Sequence, residues 1–356
     1  MISTFGFGYN LKSDLLVDIA TEGTGTYSFI PDSGFVGTVF VNALANTLTT
    51  CADNVSLAID AEDPTATIHA LDGYAVFSKE SDRINYSAKT MQIGQSFGSI
   101  VRINKSQLPL ILAKLTYHSL DSAEDGTTVT VTGPIEEITE EQRQDLALEY
   151  FRIETINSIE KAINVSETNN SDRFETAKSA IQDTITKLDR WVSATSDCPG
   201  VTVPDSTIPI LSARARIIAI GEDLKGQLTE AVSKAEFFMK WGAHFLRSIK
   251  RTHMLKQCNN FKDPGVQNYG NVIFQTVRDE ADDIFSTLPP PVSSGLRVSA
   301  GYGLYRGSGS SSGGGGGYGG GSVSRSAPQS APAAPPALSM ASFNRPDMVR
   351  DKLSED

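Results

Sequence analysis

His244, His253, Cys258 and Asp263 stand within 20 residues of one another and carry zinc-binding atoms: imidazole nitrogen, thiolate sulfur and carboxylate oxygen. The spacing argues against a zinc site. His253 follows His244 by nine positions and Cys258 follows His253 by five, which matches no common finger, and one helix face would not present all four. Capping and core packing are the expected roles. His69 and His118 lie in alternating, strand-like runs and read as ordinary sheet residues. With 4 histidines in the chain, no Ser-His-Asp or Cys-His order is legible. "GEDLKGQ" and "GFGYN" contain glycines but lack the Lys-Ser/Thr or G-x-G-x-x-G context of a nucleotide loop. The expectation is a non-enzyme with no catalytic, cofactor or metal residue.

Interaction chemistry is the better reading of the same region. In "NNFKDPGVQNYG", Asn and Asp favour turns through side-chain to backbone bonds, Pro264 presets φ, and Gly265 accepts conformations other residues avoid. This is either a rigid connector with Phe261 and Val266 buried, or a loop that binds a partner. Lys234, Lys240, Arg247, Lys250, Arg251, Lys256 and Lys262 make a basic stretch interleaved with Trp241 and Phe245. Such a stretch can track phosphates, but a solvated face contacting acids at 136–141 or 279–283 is the preferred reading. Trp241, His244, Lys250, Arg251, Phe261, Lys262, Asp263, Pro264 and Gly265 are the candidate interaction residues.

These residues need elements to hold them, and the hydrophobic period supplies those. Residues 1–50 alternate strand, helix, strand, helix: Leu15, Leu16, Ile19 and Ala20 recur at helical spacing, and Val36, Val39, Phe40, Ala43, Leu44 and Leu48 form a second apolar stripe. Two parallel strands are too few to stand alone, so this part is expected to lean on the rest through Phe29, Val39 and Leu44. From Asn54 the period becomes two. "NVSLAID", "TATIHAL", "RINYSA", "SIVRINKS", "LILAKLTYHSL" and "TTVTVTG" predict an antiparallel sandwich. At Thr139 a capping box, Thr139-Glu-Glu-Gln142, opens a series of amphipathic segments that runs to Pro289 and predicts a helical bundle. Beyond Pro291, "YRGSGSSSGGGGGYGGGS" and "SAPQSAPAAPPALS" cannot bury enough surface to order themselves.

"TFGFGYNLKSDLLVDIATEGTGTYSFIPD" with "VGTVFVNALANTL" resembles the last two strands and two helices of a von Willebrand factor A (vWA) domain. That family holds a metal through D-x-S-x-S after its first strand and through later Thr and Asp positions. None of those positions matches a residue here, so the resemblance carries over no metal site. "WGAHFLRSIKRTHMLKQCNNFKDPGVQNYGNVIF" and "DEADDIFSTLPPP" resemble the vWA/Hedgehog intein-like segment that follows such domains, over about residues 55–292. The intein-like label implies self-cleavage, yet the T-x-x-H block and terminal His-Asn pair of that chemistry are missing. Related architectures carry U-box or RING modules, which implies a ubiquitin-linked association by architecture alone.

The fold class expected is therefore multidomain α+β: a partial vWA-like α/β unit at 1–50, a β-sandwich at 51–135, a helical bundle at 136–291 and a disordered tail at 292–356. A net charge of -11, from 31 Lys plus Arg against 42 Asp plus Glu, argues against nucleic acid or an anionic membrane as a partner of the whole chain. Cys51, Cys198 and Cys258 fit reduced thiols and an intracellular site. No export signal or membrane span is legible. The expected function is protein-protein interaction as a scaffold. A part in a ubiquitin-ligase polypeptide and RNA or acidic-partner binding through 234–262 are the alternatives, with oligomeric state left open.

Overall fold

A computed structural model of the protein describes residues 1–63, 65–70, 76–79, 83–104, 110–120, 125–133, 137–166, 172–196, 211–260 and 262–288. These lie in one compact unit, Met1–Pro291. The tail from 292, Phe261 and Cys198 fall outside the described residues.

β1 (Ile2–Phe7) and β2 (Thr24–Ile30) pair in parallel, joined by α1 (Ser13–Glu22); α2 (Val36–Leu48) follows. Neighbouring strand residues point to opposite faces. Thr4 Oγ1 donates to Leu16 O of α1 at 2.7 Å, while the Phe5 ring stacks on Phe40 of α2 at 4.6 Å, so the two helices cover opposite faces of this small sheet.

The chain then enters a five-stranded antiparallel sheet in the order β5-β6-β3-β8-β9, made of β3 (Thr50–Ala61), β5 (Val76–Lys79), β6 (Arg83–Gln92), β8 (Ile111–Ser119) and β9 (Asp125–Thr132). β4 (Thr67–Ala70) and β7 (Val101–Asn104) form a separate antiparallel pair. Ile59, Ile68, Ile84 and Tyr86 make one buried cluster between these sheets, with Phe97 and Val101 packed against it.

α3 (Glu140–Ser166) begins at the expected capping box: Gln142 N–H donates to Thr139 Oγ1 at 3.2 Å, and Thr139 N–H donates to Gln142 Oε1 at 3.0 Å. α4 (Arg173–Ala194) and α5 (Ala213–Asp223) follow. The third amphipathic segment is not one straight helix. It passes through a π turn, Leu224–Leu228, broken by the non-helical Gly226, into α6 (Thr229–Ala231). α7 (Ala235–Phe237), a second π turn (Phe238–Gly242) and α8 (Ala243–Leu255) make the next segment. The crossing between these segments is tight, since a Cβ on Gly242 would lie 2.4 Å from Ala231 O. α9 (Pro264–Gln267) and α10 (Val272–Thr287) end the described chain. Phe151, Ile159, Ile181, Leu188, Ile220 and Leu246 are among the residues of the main helical core. The mixed α/β fold with helices and an antiparallel sheet is the one the sequence leads one to expect.

One expectation is corrected. Part of the apolar stripe of α2 is exposed: Phe40 is 47% exposed although it stacks on Phe5, Leu44 49% and Leu48 61%, while Val39 is buried. Leu44 is therefore not one of the buried residues that anchor residues 1–50. The buried face carries Val39, Val41, Asn42, Ala45 and Asn46 instead. The reason is polar pairing. Asn46 Nδ2 donates to Cys258 O at 2.8 Å, and Gln92 Nε2 donates to Asn46 Oδ1 at 2.7 Å, so Asn46 is satisfied inside, while Asn42 Nδ2 donates to Thr38 O of its own helix at 2.8 Å.

Candidate interaction site around helix α8

α8 lies between the β1–β2 unit and the helical core, and each face is specialised. Leu246 and Ile249 enter the core. His244, Ser248 and Arg251, spaced i, i+4 and i+7, line the opposite side and meet β2. Among the described residues β2 pairs with β1 along one edge only, and side chains of α8 bond to its other edge. Ser248 Oγ donates to Tyr27 O at 3.2 Å and accepts from Phe29 N–H at 3.4 Å. The Arg251 guanidinium donates to Gly25 O at 2.9 Å and to Ala20 O at 3.4 Å. Residues 25, 27 and 29 present their backbone groups to the same side, so two side chains of one helix stand where a neighbouring strand would pair. Ala20 belongs to the last turn of α1, whose unpaired carbonyls favour a cation. Burial pulls the Arg251 pKa down to about 10, which leaves it charged at neutral pH.

His244 is fixed in the same way. Its Nε2 stands 3.2 Å from Tyr9 O and its Nδ1 2.8 Å from Ser13 Oγ. A carbonyl can only accept, so Nε2–H is the donor and Nδ1 accepts from the Ser13 hydroxyl. Burial lowers the pKa and favours this neutral form. His253 is fully buried against the Tyr269 hydroxyl at 2.7 Å. Burial, aided by the Arg152 guanidinium, pushes its pKa down to about 3.

The basic stretch is committed within the fold. Lys250 pairs with Glu160, and Lys256 with Glu149 at 2.9 Å. Arg247 donates to Ala243 O at 3.2 Å. Lys240 stands over the Tyr9 ring at 5.4 Å, Lys234 over Phe237 at 5.2 Å and Lys262 over Phe35 at 5.9 Å. Among the described residues its carboxylate partners include Glu149 and Glu160 of α3. Trp241 is half-buried in an aromatic row with Phe237 at 6.4 Å and Phe245 at 5.9 Å.

The segment after α8 is a buried junction. Asn260 Oδ1 accepts from the N–H groups of Lys262 and Asp263 at 2.8 and 2.9 Å, and Asn260 Nδ2 donates to Asp263 Oδ2 at 2.9 Å. Pro264 is exposed at the first position of α9, where no N–H is needed. Gly265 is buried against α5, and a Cβ there would come 2.4 Å from Asp223 Oδ2. Burial first, then the neighbouring Asp263 carboxylate, raises the Asp223 pKa to about 8, against the pull of the Gly265 and Val266 N–H groups. Burial likewise raises Asp263 to about 6. Cys258 is 1% exposed, and burial pushes its thiol up to about 12. It is a poor nucleophile.

His244, Arg251, Asp263 and Gly265 are thus turned inward, Lys262 and Pro264 are exposed, and Phe261 lies outside the described residues. His244, Cys258 and Asp263 do not converge on one point with His253: among the described residues no group of three or more His, Cys, Asp or Glu is placed to hold a metal ion. Ser248 was missing from the sequence-based set. Its signal was available in the polar i, i+4, i+7 stripe opposite Leu246 and Ile249.

Residues 214–283 match the family model described as VWA / Hh protein intein-like (Vwaint). The Vwaint match begins in α5 and ends in α10, so it contains α8 and the buried junction, and it falls inside the stretch whose sequence resembles that family. No curated protein matches the chain. Among solved structures, "von Willebrand factor type A from Catenulispora acidiphila" is similar with 15% identity over 53% of this chain and 50% of that one, at a TM-score of 0.33. The ArnB paralog VWA2 from Sulfolobus acidocaldarius is similar with 10% identity over 71% and 56%, at a TM-score of 0.34. The chain thus covers about half the length of each. Among the described residues no helix is long and apolar enough to cross a membrane.

Proposed function

We propose that the chain is a non-enzymatic protein-interaction scaffold: the Vwaint segment holds the β1–β2 unit through α8 and so presents that unit's outer surface to a protein partner. One observation carries the reading. β1 has an edge unpaired among the described residues, with Ile2 56% and Phe7 60% exposed, and Phe40, Leu44 and Leu48 run along the α2 that stacks on β1 through Phe5. Exposed apolar rows beside an open strand edge are typical of docking surfaces. The inert Cys258 thiol and the internally bonded His244 and His253 support a binding role over covalent chemistry. The internal pairing of Lys250 and Arg251 supports a protein partner over RNA.

The test uses the full chain with Leu44→Lys and Leu48→Lys together. Affinity capture from the source cells, quantified against wild type, is expected to lose specific partners while the unfolding midpoint stays the same. An unchanged set of partners would remove this surface from the account.

A further inference from the structure

The two outer strands of the five-stranded sheet are finished differently. β5 is short, shifts register against β6 between Val76 and Ser78, and ends in Lys79. Short length, a bulge and a lysine are the devices that keep a sheet edge from pairing with another chain. β9 has none of them. It spans eight residues, pairs with β8 without a register shift from Ile111↔Thr132 to His118↔Asp125, and contains no Lys, Arg or Pro. Residues 127–132 are exposed, with Val129 at 52% and Val131 at 55%. Among the described residues no strand pairs with its outer edge.

The sequence of β9 indicates which strand would fit. Thr128-Val129-Thr130-Val131-Thr132 reads the same in both directions. An antiparallel neighbour runs backwards, so a second copy related by a two-fold axis through Thr130 sets Val129 opposite Val131 and Thr128 opposite Thr132. Side chains alternate between faces, which places all the valines on one face and all the threonines on the other. Val–Val and Thr–Thr are favourable cross-strand neighbours. From Gly126 to Gly133 there is no charge, so nothing in the pairing sets like charges against each other.

We propose that β9 is a homodimerisation edge, through which two copies of this chain pair antiparallel at Thr128–Thr132 and join their five-stranded sheets into one. The arrangement is isologous and closes on itself, so it stops at two copies. So short a contact falls below the ~1,200 Å² of total buried area typical of stable complexes. The dimer therefore forms on concentration and dissociates on dilution.

Sedimentation velocity of the full chain over a concentration series tests this. Wild type is expected to rise from the mass of one chain towards two. Val129→Lys with Val131→Lys sets lysines against lysines at positions exposed in the single chain, and is expected to stay monomeric with an unchanged unfolding midpoint. Val129→Glu with Val131→Glu behaves likewise, and an equimolar mixture of the two variants is expected to regain the dimer. A wild type that stays monomeric throughout overturns the proposal, as does association undiminished in the lysine variant or a mixture that fails to pair.

Discussion

Ser248 and Arg251 act on β2 as a neighbouring strand would, and removing either leaves a buried backbone group without a partner. Ser248→Ala strips the acceptor from Phe29 N–H and the donor from Tyr27 O; a loss of about 1–2 kcal/mol in unfolding free energy is expected by denaturant titration. Arg251→Ala strands the Gly25 and Ala20 carbonyls, and about 2–4 kcal/mol is expected, because Arg251 is 7% exposed and water does not readily replace it. Asp223 gives a pH signature. Its pKa is about 8 in the fold against 3.8 for a free carboxyl, so between those values the native state keeps a proton that the unfolded chain has lost. Stability from this group therefore falls as pH rises from about 4 to 8 and levels off above. Asp223→Asn is expected to flatten that slope and to gain on wild type by roughly 2 kcal/mol or more at pH 8 relative to pH 4.5. Equal slopes in the two proteins would contradict it. At this scale the sequence was legible in types but not in directions. The turn chemistry of "NNFKDPG" is bonded as Asn, Asp and Pro would have it, with Asn260 as the hub, whereas the partners of Arg251 are main-chain carbonyls that no sequence pattern marks.

The elements were more legible than the faces they bury. Period two gives β3, β4 and β6 to β9, and the capping box gives the start of α3 to the residue. β5 was missed because "VFSK" is too short to show a period. α2 shows the other failure. Its apolar stripe reads as the buried side, yet Asn42 and Asn46 are 0% and 4% exposed, while Leu44 and Leu48 of the stripe are 49% and 61% exposed. Asn46 is turned in by its bonds to Cys258 O and Gln92 Nε2, whereas Asn42 bonds only through Nδ2, to Thr38 O of its own helix. Two substitutions separate these roles. Leu44→Lys is expected to change stability by under about 0.5 kcal/mol, whereas Asn46→Leu leaves Gln92 Nε2 and Cys258 O short of partners and is expected to cost about 2 kcal/mol. Thermal unfolding of the two variants checks the order; a larger loss from Leu44→Lys would return the stripe to the core.

Across the unit Met1–Pro291, α8 supports the β1–β2 pair by completing its second edge, and the loop after α8 ties α2 and β6 together through Asn46 and Gln92. A two-stranded sheet alone is marginal. In the function proposed above, the segment matched by the Vwaint model is the base on which an apolar, open-edged surface is held for a partner, with β9 proposed as a separate edge for a second copy. The mixed α/β architecture was legible from periodicity; the attachment was not, because it is made by long-range bonds between residues more than 200 positions apart, such as Ser248 with Tyr27 and Arg251 with Gly25. Hydrogen exchange of the full chain, wild type against Arg251→Ala, tests this dependence most directly. Amides of β2, Phe29 among them, are expected to lose protection through a separate low-energy opening while those of α3 and α4 keep theirs. Unchanged β2 protection in Arg251→Ala would contradict it.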